Sequence, residues 1–259
     1  MKNIIITLTL TLIIALSQML SGCSPVYDSM IADSTKAIEK NPDDAEAYRE
    51  RASAWEEKGD YDQAIADYSK AIELDQRDVN LYYLRGYLYS EKGNYDQAIA
   101  DCTKAIEINP DDAKAYYFRG NLYRKKGDYD QAIADCTKAI EINPDDAKAY
   151  YFRGNLYRKK GDYDQAVVDC TKAIKIDRDD ANAYYFRARA WEEKGNLDKA
   201  INDCGKALDL NRQVWMDAIL YKYRAGLWLK KGKVRRYKED LAKAQELSDY
   251  VDEGKVLPD

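Results

Sequence analysis

Residues 113–146 read AKAYYFRGNLYRKKGDYDQAIADCTKAIEINPDD, and residues 147–180 read AKAYYFRGNLYRKKGDYDQAVVDCTKAIKIDRDD. The two stretches differ only at Ile133/Val167, Ala134/Val168, Glu141/Lys175, Asn143/Asp177 and Pro144/Arg178, which leaves 29 of 34 positions identical. The same register extends upstream to 79–112 and 45–78 and downstream to 181–214. A sixth, weaker copy, 218–251, begins at Ala218 after the extra residues Trp215, Met216 and Asp217, and a half copy, 27–44, precedes the first whole one. A period of this length marks units that cannot bury an apolar face alone and do so by stacking.

Each unit reads as two helices. Tyr116, Gly120 and Tyr123 fall at i, i+4 and i+7 on one face of a first helix. Gly127 then breaks the pattern, as a helix C-cap with positive φ requires. Ala132, Ile133, Cys136, Ala139 and Ile140 make the apolar stripe of a second helix, and Asn143-Pro144-Asp145-Asp146 supplies a stop followed by N-cap acids. This pattern resembles the tetratricopeptide repeat, a 34-residue helix–turn–helix with Trp, Leu-Gly, Tyr, Ala, Phe and Pro landmarks. Tyr116 stands where Trp is usual, Cys136 replaces the second helix's aromatic, and Arg119 replaces the usual Leu, as do Arg51, Arg85, Arg153, Arg187 and Arg224. The resemblance covers roughly residues 27–251. It implies an all-α fold, an α-solenoid with right-handed superhelical stacking of helix–turn–helix units, and it says little about function, because one scaffold hosts many partners.

Composition narrows the function. The 259 residues carry 41 Lys and Arg against 46 Asp and Glu, a net charge of −5, so a nucleic acid gains no bulk attraction. There is no histidine, which removes the commonest general base and zinc ligand. No phosphate-cradling glycine loop occurs. No metal, cofactor or catalytic residue is therefore expected, since no residue set stands out from the repeat background as a reaction centre would.

Residues 1–22 read as an export signal: Lys2 supplies a positive charge and 4–16 are apolar apart from Thr7, Thr9 and Thr11. The run is short for a bilayer-spanning helix. It ends in Leu20-Ser21-Gly22-Cys23, which resembles the bacterial lipobox at every position and implies cleavage after Gly22 and acylation of Cys23. Several acyl chains hold a protein to a membrane stably where one does not. Ser24 follows, where many Gram-negative lipoproteins kept at the inner membrane have aspartate. The expected place is the bacterial cell envelope, lipid-anchored in the outer membrane and facing the periplasm. Residues 23–26 read as the lipidated cysteine and a tether, which spans at most about 11 Å. Residues 27–44 read as an orphan second helix that leaves Met30 and Ile31 part exposed, and a homodimer through it is one partner arrangement. Leu227, Trp228, Leu229 and Trp215 read as end-cap packing, and 252–259 as a tail, with fraying from Ser248.

Three further columns recur once per unit. Cys102, Cys136, Cys170 and Cys204 lie on successive second helices, too far apart for disulfides if the helices pack at roughly 8–10 Å; they read as buried thiols. The arginines beside the core need a partner, because an unpaired buried guanidinium is costly. Asp67, Asp101, Asp135, Asp169, Asp203 and Asp240 recur in the second helix, so an arginine–aspartate ladder is expected; two exposed columns that never meet are the alternative. Asp33 sits in the half unit, which has no arginine, and this favours pairing across the junction to Arg51.

In the resembling family, the column of Tyr83, Tyr117, Tyr151 and Tyr185 faces a concave groove, together with Asn121 and Asn155, Arg124 and Arg158, and Lys125 and Lys159. Aromatic faces and fixed amides suit an extended peptide. Lys114 and Lys148 lie nearby, while Glu56-Glu57 and Glu192-Glu193 make the ends acidic, so the expected partner segment carries acidic groups. Tyr117 and Phe118 stand where the carboxylate-clamp subset of the family has Lys and Asn or Arg, so that clamp does not transfer. A solvated charged face copied by duplication is the alternative. The expectation is a non-enzymatic scaffold or adaptor for envelope proteins or their peptide segments, with a pilotin-like assembly subunit using its convex face and N-terminal helix as the alternative.

Overall fold

The computed structural model describes residues 24–211 and 213–252; the expected signal segment 1–22, the expected lipidation site Cys23 and the tail beyond Asp252 lie outside the described residues. Every element among them is an α-helix. They fall into two bodies that divide after Pro110. The first holds α1 (Ser24–Lys40), α2 (Ala45–Glu57), α3 (Tyr61–Leu74), α4 (Val79–Glu91) and α5 (Tyr95–Ile108). The second holds α6 (Ala113–Lys126), α7 (Tyr129–Ile142), α8 (Ala147–Lys160), α9 (Tyr163–Ile176), α10 (Ala181–Glu193), α11 (Leu197–Leu210), α12 (Val214–Lys230) and α13 (Val234–Asp252). Within each body consecutive helices pack as hairpins, and each hairpin packs on the next. None of the described helices is long and apolar enough to cross a membrane.

The helix boundaries follow from local chemistry. Asp44, Asp60, Asp78, Asp112, Asp128, Asp146, Asp162 and Asp180 each sit just before a helix and accept a hydrogen bond from a first-turn amide, which satisfies an otherwise orphaned donor. Each hairpin turns on a glycine with φ between 70° and 88°: Gly59, Gly93, Gly127, Gly161, Gly195 and Gly232. A side chain there would crowd the backbone, so glycine is what lets the second helix start at once.

Three expected boundaries move. Ser24, Pro25 and Val26, read as a tether, are the first turn of α1. They cover about 4.5 Å rather than 11 Å, because a helix rises 1.5 Å per residue; proline is tolerated there because first-turn amides have no intrahelical acceptor. Trp215, Met216 and Asp217, the extra residues before the sixth copy, lengthen α12 at its start. Ser248–Asp252 continue α13.

The first body's core gathers Tyr68, Ile72, Leu81, Tyr82 and Leu88 with small Ala52, Ala64 and Ala71. The second repeats the plan around Cys136, Phe152 and Leu156, then around Cys204 and Leu227. Leu88, Leu122, Leu156 and Leu227 are fully buried, each stabilising its hairpin by about 1.5–3 kcal/mol relative to exposure. Close axes need small residues: an added Cβ on Gly154 would meet Cys170 Sγ at 2.8 Å and the Ala166 carbonyl at 3.1 Å. Of the expected end-cap residues, Leu227 is buried and Trp228 packs on the last core cluster, whereas Trp215 and Leu229 are exposed.

Candidate functional site

The arginine and aspartate columns meet inside each hairpin. Arg51, Arg85, Arg119, Arg153, Arg187 and Arg224 each donate through Nε and Nη2 to both carboxylate oxygens of the aspartate sixteen residues later, at 2.6–3.0 Å. The partners are Asp67, Asp101, Asp135, Asp169, Asp203 and Asp240, and this planar two-point fit is the strong form of the contact. A core tyrosine lies under each guanidinium, with Tyr48, Tyr82, Tyr116, Tyr150, Tyr184 and Tyr221 centroids 5.3–6.0 Å away.

The remaining Nη1 reaches back to the preceding hairpin. Arg51 donates to the Thr35 hydroxyl at 3.1 Å, Arg85 to Ser69 at 2.9 Å, Arg153 to Thr137 at 3.0 Å and Arg187 to Thr171 at 3.3 Å. Hydroxyls, not carboxylates, therefore take the junction bond of these ladder arginines. Asp33 does not pair with Arg51; it accepts from Ser29 and Lys36 of its own helix. The geometric reason is that Arg51 already spends Nε and Nη2 on Asp67, which leaves Nη1 facing the junction, where the Thr35 hydroxyl meets it. At the last junction Gly205 replaces the hydroxyl residue, and its Cβ position lies 3.8 Å from Arg224 Nη1. A second set of ties crosses the same junctions at the surface, where Lys58 bonds Asp28, Lys92 bonds Asp62, Lys160 bonds Asp130, Lys194 bonds Asp164 and Lys231 bonds Asp198.

The tyrosine row is half-buried in the junctions. Tyr117 packs on Phe152 with centroids 5.0 Å apart, Tyr151 stacks on Phe186 at 5.5 Å, and Tyr185 meets Tyr223 edge-on at 5.6 Å. Burial pushes the Tyr117 and Tyr151 hydroxyls up from their ordinary values. Tyr83 packs against the first body's core. These rings form the floor between hairpins, and the Phe152, Phe186, Tyr223 column that receives them was not singled out from the sequence. Its signal was one more aromatic at the sixth position of the later units, Phe118, Phe152, Phe186 and Tyr223, where the first two units have Glu50 and Leu84.

The polar columns of the second body hold one another in place. Arg124 donates through Nε and Nη2 to Asn121 Oδ1 at 3.0 and 2.9 Å and lies over the Phe152 ring. Arg158 does the same to Asn155 at 3.2 and 3.1 Å. With each amide oxygen occupied, the amide NH₂ is what remains to a partner. Arg158 is buried, with Glu193 3.6 Å away; desolvation, then the nearby Arg189 charge, lowers its pKa from the ordinary value. Glu192 accepts from Tyr223 and from Lys230, each at 2.6 Å. Toward α8, α10 and α12 the charges are thus internally matched. Toward α6 and α8 they differ: a cavity of about 310 Å³ is lined by Lys114, Tyr117, Asn143 and Lys148, with Asp112 and Asp146. Both aspartates cap helices, and both lysines are exposed. Lys125 and Lys159 are exposed at the C-terminal ends of α6 and α8.

The first body lines its cavity differently. A space of about 510 Å³ is bordered by Met30, Glu46, Arg49, Glu50, Glu56 and Glu57, with Tyr68. Tyr68 stands in the column that is cysteine in the next four units; it is fully buried, and its hydroxyl donates to Glu56 at 3.1 Å. Burial raises the Glu56 pKa against that bond. Cys102, Cys136, Cys170 and Cys204 are buried free thiols, and desolvation pushes Cys170 and Cys204 up to about 12, so they are inert as nucleophiles at neutral pH. Among the described residues no cluster of three or more metal-ligating side chains occurs.

Comparison with known proteins agrees with this architecture. Tetratricopeptide repeat models match residues 79–112, 113–146, 147–180 and 181–214, with further repeat models over 56–93 and 35–66. No curated protein matches the chain. Among solved structures, MamA is 30% identical with a TM-score of 0.58, over 64% of this chain and 90% of its own. YrrB, a tetratricopeptide repeat protein with an unusual peptide-binding site, is 29% identical with a TM-score of 0.56, over 69% of this chain and 92% of its own. A tetratricopeptide repeat protein from Parabacteroides merdae is 22% identical with a TM-score of 0.66, over 89% of this chain and 90% of its own, a likeness of fold alone. With the 34-residue hairpins, their glycine turns and the family models running from 35 to 214, the chain belongs to the tetratricopeptide repeat family.

Proposed function

We propose that this chain is a protein–protein interaction scaffold of the bacterial cell envelope, acylated at Cys23 and held in the outer membrane, that binds acidic peptide segments of envelope proteins on the second body and performs no catalytic step. One observation carries the binding site: Lys114 and Lys148 stand exposed around the 310 Å³ cavity floored by Tyr117, while the two aspartates in its wall are engaged as helix caps. A carboxylate entering there meets two ammonium groups, and an extended backbone can take the amide NH₂ groups of Asn121 and Asn155. The peptide-binding site of YrrB, a relative at 29% identity, supports a peptide as ligand.

The tyrosines carry packing as well as any contact with a partner, so their removal is a poor test. The Lys114→Ala, Lys148→Ala double variant is a better one. Crosslinking in native membranes should lose the captured segment while the melting temperature stays within about 1 °C of the parent, as surface changes rarely exceed 0.5 kcal/mol. Unchanged capture overturns the site. For the anchor, mass spectrometry of the mature N-terminus should show acyl mass on Cys23, absent in Cys23→Ser; an unmodified N-terminus overturns the lipoprotein reading.

A further inference from the structure

Six aspartates in the ladder column are gripped by an arginine from the first helix of the same hairpin, and the side chains of Asp67, Asp101, Asp135, Asp169, Asp203 and Asp240 are only 4–10% exposed. The seventh member, Asp33 on α1, is 70% exposed and among the described residues bonds only along its own helix, at 3.4 and 3.5 Å. Among the described residues no first helix precedes α1. Its other side is seated: Ser34 is buried and Thr35 accepts from Arg51. On the uncovered side Val26, Met30, Asp33 and Ala37 fall at i, i+4, i+7 and i+11, one stripe of a helix. Val26 is 59% and Met30 39% exposed, whereas Ala64, in the position of Met30 one unit later, is fully buried.

We propose that this stripe is a docking site for an amphipathic helix of a partner protein, bearing an arginine opposite Asp33 with an aromatic three residues before it and a small residue one after it. That helix would complete the half hairpin as Tyr48, Arg51 and Ala52 of α2 complete the next. The fit is one of charge and shape together. A lone carboxylate between two apolar side chains takes a guanidinium with two bonds, and apolar rows flank the pair. A second copy is the poorer occupant. Every ladder arginine among the described residues is already bonded within its own hairpin, and two copies meeting through α1 would oppose Asp33 to Asp33. The site is separate from the cavity at Lys114 and Lys148, so either reading can fail without the other.

The test uses the full chain and a fluorescein-labelled peptide copying residues 180–194, which carries Tyr184, Arg187 and Ala188 and is formally neutral. Anisotropy should show saturable binding, at least about tenfold weaker with Asp33→Arg protein or with an Arg187→Glu peptide, as loss of a charge-assisted pair predicts. Combining the two changed partners should restore it. Asp33 is exposed, so the variant should melt with the parent. Binding indifferent to both exchanges overturns the proposal, as does no binding at about 1 mM peptide, the weak end of specific recognition. A concentration-dependent dimer in sedimentation that dissociates in Asp33→Arg overturns it too, by showing a second copy on the stripe.

Discussion

Glu56 in the first body and Glu192 in the second occupy the same position of the 34-residue unit, and both accept from a tyrosine hydroxyl, that of buried Tyr68 at 3.1 Å and that of half-buried Tyr223 at 2.6 Å. Their pKa values nevertheless move in opposite directions. Burial opposes charge on both carboxylates, but only Glu192 also receives a lysine, Lys230, at 2.6 Å. The difference extends outward: the first body's cavity is lined by four glutamates against Arg49, the second body's by Lys114 and Lys148 beside capping aspartates. A repeat holds its framework constant and varies what stands on it. The ladder is the constant part, and the cavity lining is the variable part.

The ladder gives the largest expected effect. Asp67→Ala and Asp169→Ala should each cost about 3 kcal/mol, since each leaves a guanidinium beside the core without its carboxylate, and thermal melting should show similar drops in the two bodies. Asp33→Ala should change stability by less than about 0.5 kcal/mol, because that side chain is exposed. Unequal losses at Asp67 and Asp169 would mean that repeat position does not set the energetics. An intermediate effect separates two glycines of one column. Gly154→Ala should destabilise by about 1–3 kcal/mol, because its Cβ runs into Cys170 Sγ and the Ala166 carbonyl. At Gly86 the nearest atom is Asp101 Cβ at 3.3 Å, and alanine's helix preference of roughly 1 kcal/mol offsets the milder crowding; chemical denaturation of the pair should show the gap.

The smallest effect is the sharpest test of the comparison. In a carboxylate-resolved NMR titration, Glu56 should titrate above its ordinary value and Glu192 below it. The consequences for stability have opposite sign. Glu56 binds its proton more tightly when folded, so its contribution is present below the unfolded pKa and is lost as pH rises through the folded one. Glu192's contribution is present above the unfolded pKa and is lost as pH falls through its folded one. Lys230→Met should turn Glu192 into a second Glu56, with its pKa moving up. If the two glutamates titrate together in the parent, the lysine is not what distinguishes the two regions.

Much of this was legible in the chain. The exact period, Gly127 as a turn, Asp146 as a cap, and the arginine and aspartate columns all follow from local rules of helix starts, stops and faces. What escaped was the identity of neighbours. Tyr117 reads as a groove side chain by position, yet it lies against Phe152 of the next hairpin. Arg158 reads as a groove cation and is buried beside Glu193. Asp33 reads as a junction partner and is left outside, because hydroxyls took that role.

The sequence by itself determined the hairpins, their number and the face each presents, because capping, glycine turns and a 3.6-residue stripe act within a few residues of one another. Only the tertiary structure decided which carboxylate each arginine grips, which rings close the junctions and which glutamate resists its charge. Those outcomes depend on distances of 2.6 to 5.0 Å between residues sixteen to thirty-eight positions apart, and such distances are set by how close the helix axes come once small residues let them approach.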